Sequence, residues 1–133
     1  MKPRILVVDD EESIREFLDI MLRKEGYEVT CAEDGQQAID ILKKRSFDMV
    51  ISDLQMPNVT GIELLKHTKD NYPDLLFMMI TAFGTTETAV DAMKMGAYDY
   101  VTKPFKLDEV RINIANALRS QHLEFENRSL KKE

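Results

Sequence analysis

The chain has 133 residues, 44% hydrophobic and 32% charged, the make-up of one folded domain rather than of a disordered or fibrous chain. Eighteen basic against 24 acidic residues leave a formal charge of −6, which argues against a protein whose main task is to grip nucleic-acid phosphates. The single Cys31 excludes an internal disulfide, and the longest unbroken apolar run, Leu75 to Ile80, is too short to span a bilayer.

The opening Met1-Lys2-Pro3-Arg4 leads straight into a strand-like run, so no secretory leader is expected and a soluble cytoplasmic domain is. Ile5-Leu6-Val7-Val8 is too short for a helix and lacks the alternation of a half-wet strand, so it reads as a strand buried on both faces. Ser13-x-x-Glu16 has the spacing of a capping box, and Ile14, Phe17, Leu18, Met21 and Leu22 form one helical stripe that Gly26 ends in a left-handed cap. Glu28 to Ala32 is a second strand. Asp34-Gly35 opens a second helix, with Ala38, Ile41 and Leu42 on its apolar side.

Met49-Val50-Ile51 is a third strand ending at Ser52-Asp53, followed by a turn around Pro57 and Asn58. Thr60-x-x-Glu63 caps a third helix through Ile62, Leu65 and Lys66, stopped before Pro73. Leu75 to Ile80 is the most apolar strand and is expected near the centre. Thr85 to Met95 is a weaker helix whose only large apolar anchors are Val90 and Met93. Tyr98 to Val101 is the fifth strand, and the last helix starts near Leu107-Asp108-Glu109, with Leu107, Val110, Ile114, Ala117 and Leu118 as its apolar pattern. Five strand–helix alternations with short connections predict an α/β domain with a parallel sheet, right-handed crossovers and helices on both faces.

In such sheets ligands bind beyond the carboxyl ends of the strands. Strand one ends in Asp9 and Asp10 with Glu11 and Glu12 beyond, strand three in Asp53, strand four in Thr81, and strand five in Thr102-Lys103-Pro104; strand two ends in nothing reactive. Taken singly, Asp9 and Asp10 could be a helix-capping pair, Asp53 a turn residue, and Thr81 and Lys103 surface residues. Taken together they form a constellation. Adjacent strands lie about 4.8 Å apart, and two like charges ~4 Å apart cost about 4 kcal/mol at an effective dielectric near 20. A hard divalent ion such as Mg²⁺, which takes oxygen ligands and keeps positions for phosphate oxygens, relieves that repulsion. With the hydroxyl of Thr81 and the ammonium of Lys103, the group suits a tetrahedral phosphoryl ligand.

Val7-Val8-Asp9-Asp10-Glu11, Asp53-Leu54-Gln55-Met56-Pro57 with Gly61, Thr81-Ala82 and Lys103-Pro104-Phe105 resemble the receiver domain of two-component response regulators, over about residues 4 to 118. The resemblance implies a flavodoxin-like doubly wound (βα)5 fold with strand order 2-1-3-4-5. It implies that Asp53 accepts a phosphoryl group from a histidine kinase, and that Asp9, Asp10, Asp53 and the main-chain carbonyl of Gln55 hold Mg²⁺. It further implies that Lys103 contacts the phosphate through a loop with a cis Lys103-Pro104 bond, and that Thr81 and Tyr100 are the switch pair, with Tyr100 moving inward. Gln55 and Phe83 would tune hydrolysis. Such a domain is no enzyme beyond its own Mg²⁺-dependent phosphorylation and dephosphorylation.

Helix-friendly sequence continues from Leu118 to Leu130 without Gly or Pro, with Leu118 and Phe125, and Leu123 and Leu130, seven apart. Residues 1–118 are therefore expected to be the receiver and 119–133 a helical linker or extension toward an output domain, the plainer alternative being a solvated tail. The run is similar to the linker of regulators that carry an AAA+ ATPase module activating sigma-54 polymerase. A homodimer through this helix, or through the face of helix 4, strand 5 and helix 5, follows from the same resemblance; nucleic-acid and membrane contact by this domain do not. Met21, Met49, Met78, Met79, Met93 and Met95 read mostly as core filler, and His67 and His122 as solitary surface residues. Three other classes fit less well. A haloacid-dehalogenase-like phosphatase would need a second aspartate where Gln55 stands, a nucleotide-binding module a glycine-rich phosphate loop that the five glycines do not form. A flavodoxin-like carrier would have two aspartates where the FMN phosphate must sit. A stand-alone receiver working only by protein contact is the realistic alternative to a transcription regulator.

Overall fold

A computed structural model describes residues 2–54, 56, 58–81 and 86–131, with backbone alone at 86, 88, 89, 122 and 124–131. The elements are β1 (Arg4–Val8), α1 (Glu12–Lys24), β2 (Glu28–Ala32), α2 (Gly35–Lys44), β3 (Met49–Asp53), α3 (Gly61–Asn71), β4 (Leu76–Thr81), α4 (Thr86–Lys94), β5 (Asp99–Thr102) and α5 (Leu107–Lys131). All neighbouring strands are parallel, in the order β2-β1-β3-β4-β5. The flavodoxin-like (βα)5 expectation holds. The middle strand is β3, buried at all five positions; β4 is interior between β3 and β5.

Side chains of a strand alternate between faces, and the sheet divides its apolar residues accordingly. Leu6, Val8, Val50, Phe77 and Met79 meet Ala38 and Leu42 of α2, Leu64 and Leu65 of α3 and Ala92 of α4 on one face. Ile5, Val7, Met49, Ile51, Met78 and Ile80 meet Leu18, Met21 and Leu22 of α1 and Val110, Ile114 and Ala117 of α5 on the other. Each fully buried large aliphatic side chain contributes about 1.5–3 kcal/mol. The methionines of the strands are core filler as expected, whereas Met93 is exposed.

Local signals place several boundaries. Gly26 takes φ +93°, and Tyr27 N–H bonds the Leu22 carbonyl while Gly26 N–H bonds that of Arg23, the paired bonds that close a helix on a left-handed residue. Asp34 caps α2 by accepting from Gln37 N–H at 2.8 Å. Thr60 and Glu63 form the predicted reciprocal box at α3. Asn58 turns the preceding loop with φ +69°; Pro57 lies outside the described residues.

Four expectations need correction. Ser13-x-x-Glu16 is not a capping box: α1 begins at Glu12 with Glu11 in the capping position and no side-chain cap, so Ser13 already lies inside the first turn. In α4, Val90 and Met93 are 43% and 42% exposed, and among the described side chains of the helix Ala92 is the buried one; of these a small side chain, not a large one, faces the sheet. Phe17 and Leu107 likewise lie outward, Phe17 stacking obliquely on Phe105 with centroids 5.8 Å apart. His67 is half-buried rather than a surface residue, edge-on to Tyr72. The side chain of His122, like those of Phe125 and Leu130, lies outside the described ones. Helix α5 runs unbroken past Leu118 to Lys131, with the side chain of Gln121 donating to the Asp74 carbonyl. No helix among the described residues is long and apolar enough to cross a membrane.

Candidate functional site

The sheet register builds the site. Val8 is level with Ser52 across β1 and β3, so the next residues, Asp9 and Asp53, emerge side by side at the carboxyl rim. Thr81 is level with Thr102 across β4 and β5, and its carbonyl accepts Lys103 N–H at 2.8 Å, which starts the Lys103 loop at the same rim. The Lys103-Pro104 bond is cis, as expected. Behind Asp53 the chain is packed against α3: a Cβ on Gly61 would overlap the Asp53 carbonyl oxygen and come 2.8 Å from Leu54 Cα. Only glycine admits that approach.

Carboxylate oxygens of Asp9, Asp10 and Asp53 lie within 4.8 Å of one another, Asp9 and Asp53 buried and Asp10 exposed. Lys103 Nζ reaches into this group, 3.0 Å from Asp9 Oδ2, 3.5 Å from Asp53 Oδ2 and 3.8 Å from Glu11 Oε1. Burial pushes the Asp9 carboxyl above its ordinary value, outweighing the Glu11 N–H bond and the Lys103 ammonium that act the other way. Burial alone would lower Lys103; the Asp9 hydrogen bond and the charges of Asp9, Asp53 and Glu11 overcome it and hold the ammonium above the usual lysine range.

Three carboxylates thus face one ammonium, with the Asp10 carboxylate beside two of them. The donor set is all oxygen, partly buried and open on the Asp10 side, which fits a hard divalent cation that keeps free positions for other oxygens. Thr81 lies buried at the end of β4. Tyr100 is 40% exposed on β5, its side turned outward, with its N–H bonded to Asp99 Oδ1. Gln55, Ala82 and Phe83 lie outside the described residues, so the Gln55 carbonyl does too. Asp9 also braces the turn before α1, since its Oδ1 accepts from Glu11 N–H while Oδ2 faces Lys103, but it does not cap the helix, which has no side-chain cap.

The sequence did not point to Glu11 as a partner of Lys103, nor to Arg15, whose guanidinium donates to the Asp9 carbonyl at 2.8 Å. The run of acids after β1 hints at the first, and nothing local hints at the second. A cavity of about 320 Å³ bounded by Leu42, Arg45, Phe47 and Tyr72 lies at the opposite end of the sheet and includes none of these residues.

Known proteins carry the same pattern. The sequence profile described as "Response regulator receiver domain" matches residues 5–115. The chain is 38% identical over 127 residues to "Regulatory protein AtoC" of Escherichia coli (strain K12), covering 96% of this chain and 28% of that protein. It is 39% identical over 118 residues to "Transcriptional regulatory protein ZraR" of the same organism, covering 89% and 27%. Among solved structures, NtrX from Brucella abortus superposes with a TM-score of 0.92 at 36% identity, over 98% of this chain and 30% of that one. The chemotaxis response regulator CheY4 of Vibrio cholerae gives 0.82 at 31% identity, over 88% and 99%. The chain spans little more than a quarter of the length of these curated relatives. With the matched span taking in Asp9, Asp10, Asp53, Thr81 and Lys103, this chain belongs to the response regulator receiver domain family, a family of signalling switches.

Proposed function

We propose that Asp53 is the phosphoacceptor of a switch driven by a sensor histidine kinase. The observation that carries this is the convergence of Asp9, Asp10 and Asp53 on one point at the sheet rim, with Lys103 Nζ 3.5 Å from the Asp53 carboxylate. An Asp53 carboxylate oxygen bonds to phosphorus as the phosphorus–nitrogen bond of the donor phosphohistidine breaks, and the imidazole leaves with the electron pair. Asp9, Asp10, Asp53 and the Gln55 main-chain carbonyl would hold Mg²⁺, which supplies neutralisation of the phosphoryl oxygens when bound. Lys103 exchanges its carboxylate partners for a phosphoryl oxygen, and Thr81 donates its hydroxyl to another.

Phosphorylation adds about −1.5 to −2 charges. A hydrogen bond to a charged group contributes about 1.5–3 kcal/mol, so two new ones give roughly 3–6 kcal/mol. Inverting a two-state equilibrium from 1:99 to 99:1 needs about 5.5 kcal/mol. The two contacts are therefore enough to draw Tyr100 inward and reset the surface beside α4.

The output is transcription, with residues 1–118 as the cytoplasmic receiver and 119–133 as a linker toward an output domain of the sigma-54-activating AAA+ kind, paired in a homodimer through α5 or the α4–β5–α5 face. The words "regulatory" and "transcriptional regulatory" in the names of AtoC and ZraR support this, as does the unbroken course of α5 to Lys131. A stand-alone receiver is the second reading, favoured by the near-complete coverage of the CheY4 chain.

The test is incubation with acetyl phosphate and Mg²⁺, followed by intact mass. Wild type is expected to gain one phosphoryl group, and Asp53→Ala, or wild type in excess chelator, none. Equal labelling of Asp53→Ala overturns the acceptor assignment.

A further inference from the structure

Asp9 is bonded at all four of its polar groups. Its N–H donates to the Ala32 carbonyl at 3.2 Å, its Oδ1 accepts from Glu11 N–H at 2.9 Å and its Oδ2 from Lys103 Nζ at 3.0 Å. The remaining polar group is the carbonyl, which lies one residue beyond the end of β1 and accepts from Arg15 Nη1 at 2.8 Å. Asp9 is 1% exposed, so a carbonyl there without a protein donor is costly.

Arg15 stands in an unfavourable place for a cation. It is the fourth residue of α1, at the positive end of the helix dipole, where acidic side chains are preferred. No carboxylate pairs with its guanidinium among the described residues. The bond it makes instead reaches back six residues to the main chain of the rim. Its own backbone is fixed in the first helical turn, with Arg15 N–H on the Glu11 carbonyl. The side chain therefore ties α1 to the turn Asp9-Asp10-Glu11, from which two of the three clustered carboxylates come.

We infer that Arg15 is a positioning residue for the cation-holding acids: it fixes the Asp9 carbonyl and so the direction in which the Asp9 and Asp10 carboxylates leave the backbone. This deepens, and rests on, the assignment of those acids as the Mg²⁺-holding set. Partners that orient ligands are typically worth about 10–100-fold in metal affinity, and Arg15 acts through a neutral carbonyl, by hydrogen bonding rather than by adding charge to the site.

Calorimetric titration of the domain with MgCl₂ tests the inference without any phosphoryl transfer. Arg15→Met and Arg15→Ala both remove the donor, and Met keeps the apolar stem. Each is expected to weaken Mg²⁺ binding about tenfold, while Arg15→Lys, which keeps a donor, stays within about threefold of wild type, and Asp9→Asn takes up no measurable ion. One folded truncation suffices for the comparison. Wild-type affinity in that truncation, with Asp9→Asn still silent, overturns the role of Arg15 and leaves the ion site standing. An Arg15→Lys variant as weak as the truncations overturns the hydrogen-bond account, and wild-type uptake by Asp9→Asn removes the ion-site assignment itself.

Discussion

The two sides of the sheet rim are built differently. On the β1–β3 side, Asp9 is bonded at four polar groups, Gly61 lets α3 press against the Asp53 carbonyl, and α3 carries a reciprocal cap with Leu64 and Leu65 fully buried. On the β4–β5 side, α4 presents Ala92 to the core while Val90 and Met93 stay in solvent, and Tyr100 lies outward on the edge strand. The clustered carboxylates sit on the half that is fixed, and Thr81 and Lys103 come to the rim from the other. Helix α4, in which Ala92 is the buried one of the described side chains, is the element expected to respond, since elements with few buried apolar contacts open at low free-energy cost.

The sharpest challenge to this contrast is core truncation. Leu64→Ala on the fixed side is expected to cost about 2–5 kcal/mol, read from urea unfolding; a loss below about 1 kcal/mol would erase the distinction. Gly61→Ala comes next, at about 1–3 kcal/mol for forced overpacking, and because the overlap is with the Asp53 carbonyl it also slows acetyl phosphate labelling. Unchanged labelling in a destabilised variant would separate the packing from the site. On the loose side, amide exchange over residues 86–95 is expected to change most when the domain is phosphorylated, and uniform protection across the domain refutes this. Cys31 of β2 probes the fixed side again. Burial raises its thiol pKa, so less thiolate is present at pH 7–8, and iodoacetamide is expected to modify it severalfold more slowly than free cysteine, the rate climbing as pH rises. The smallest effect is Met93→Ala, within about 0.5 kcal/mol of wild type.

Legibility in the sequence follows the same division. Asp34, Thr60 with Glu63, and Gly26 act on backbone groups a few residues away, so their patterns alone located helix ends. The rim acids were legible because each directly follows an apolar run, and the sheet's parallel topology then places them together. Periodicity says that Phe17, Val90, Met93 and Leu107 share faces with apolar neighbours, but not how far round the helix the sheet extends; closeness of packing favoured Ala92 over its larger neighbours. Ser13 and Glu16 had the right spacing for a cap, but the helix starts at Glu12 and takes Ser13 into its first turn. The contacts of Arg15 and Glu11 depend on where distant segments meet, and no short pattern encodes that.

The bond between Asp9 and Lys103 joins residues 94 positions apart. A nascent polypeptide has neither the fifth strand nor its lysine until most of the domain has been synthesised. A growing chain, or a fragment clipped between the fourth and fifth strands, therefore lacks the ammonium that the clustered acids face. The charge balance of the rim is thus reached only once nearly the whole domain is present.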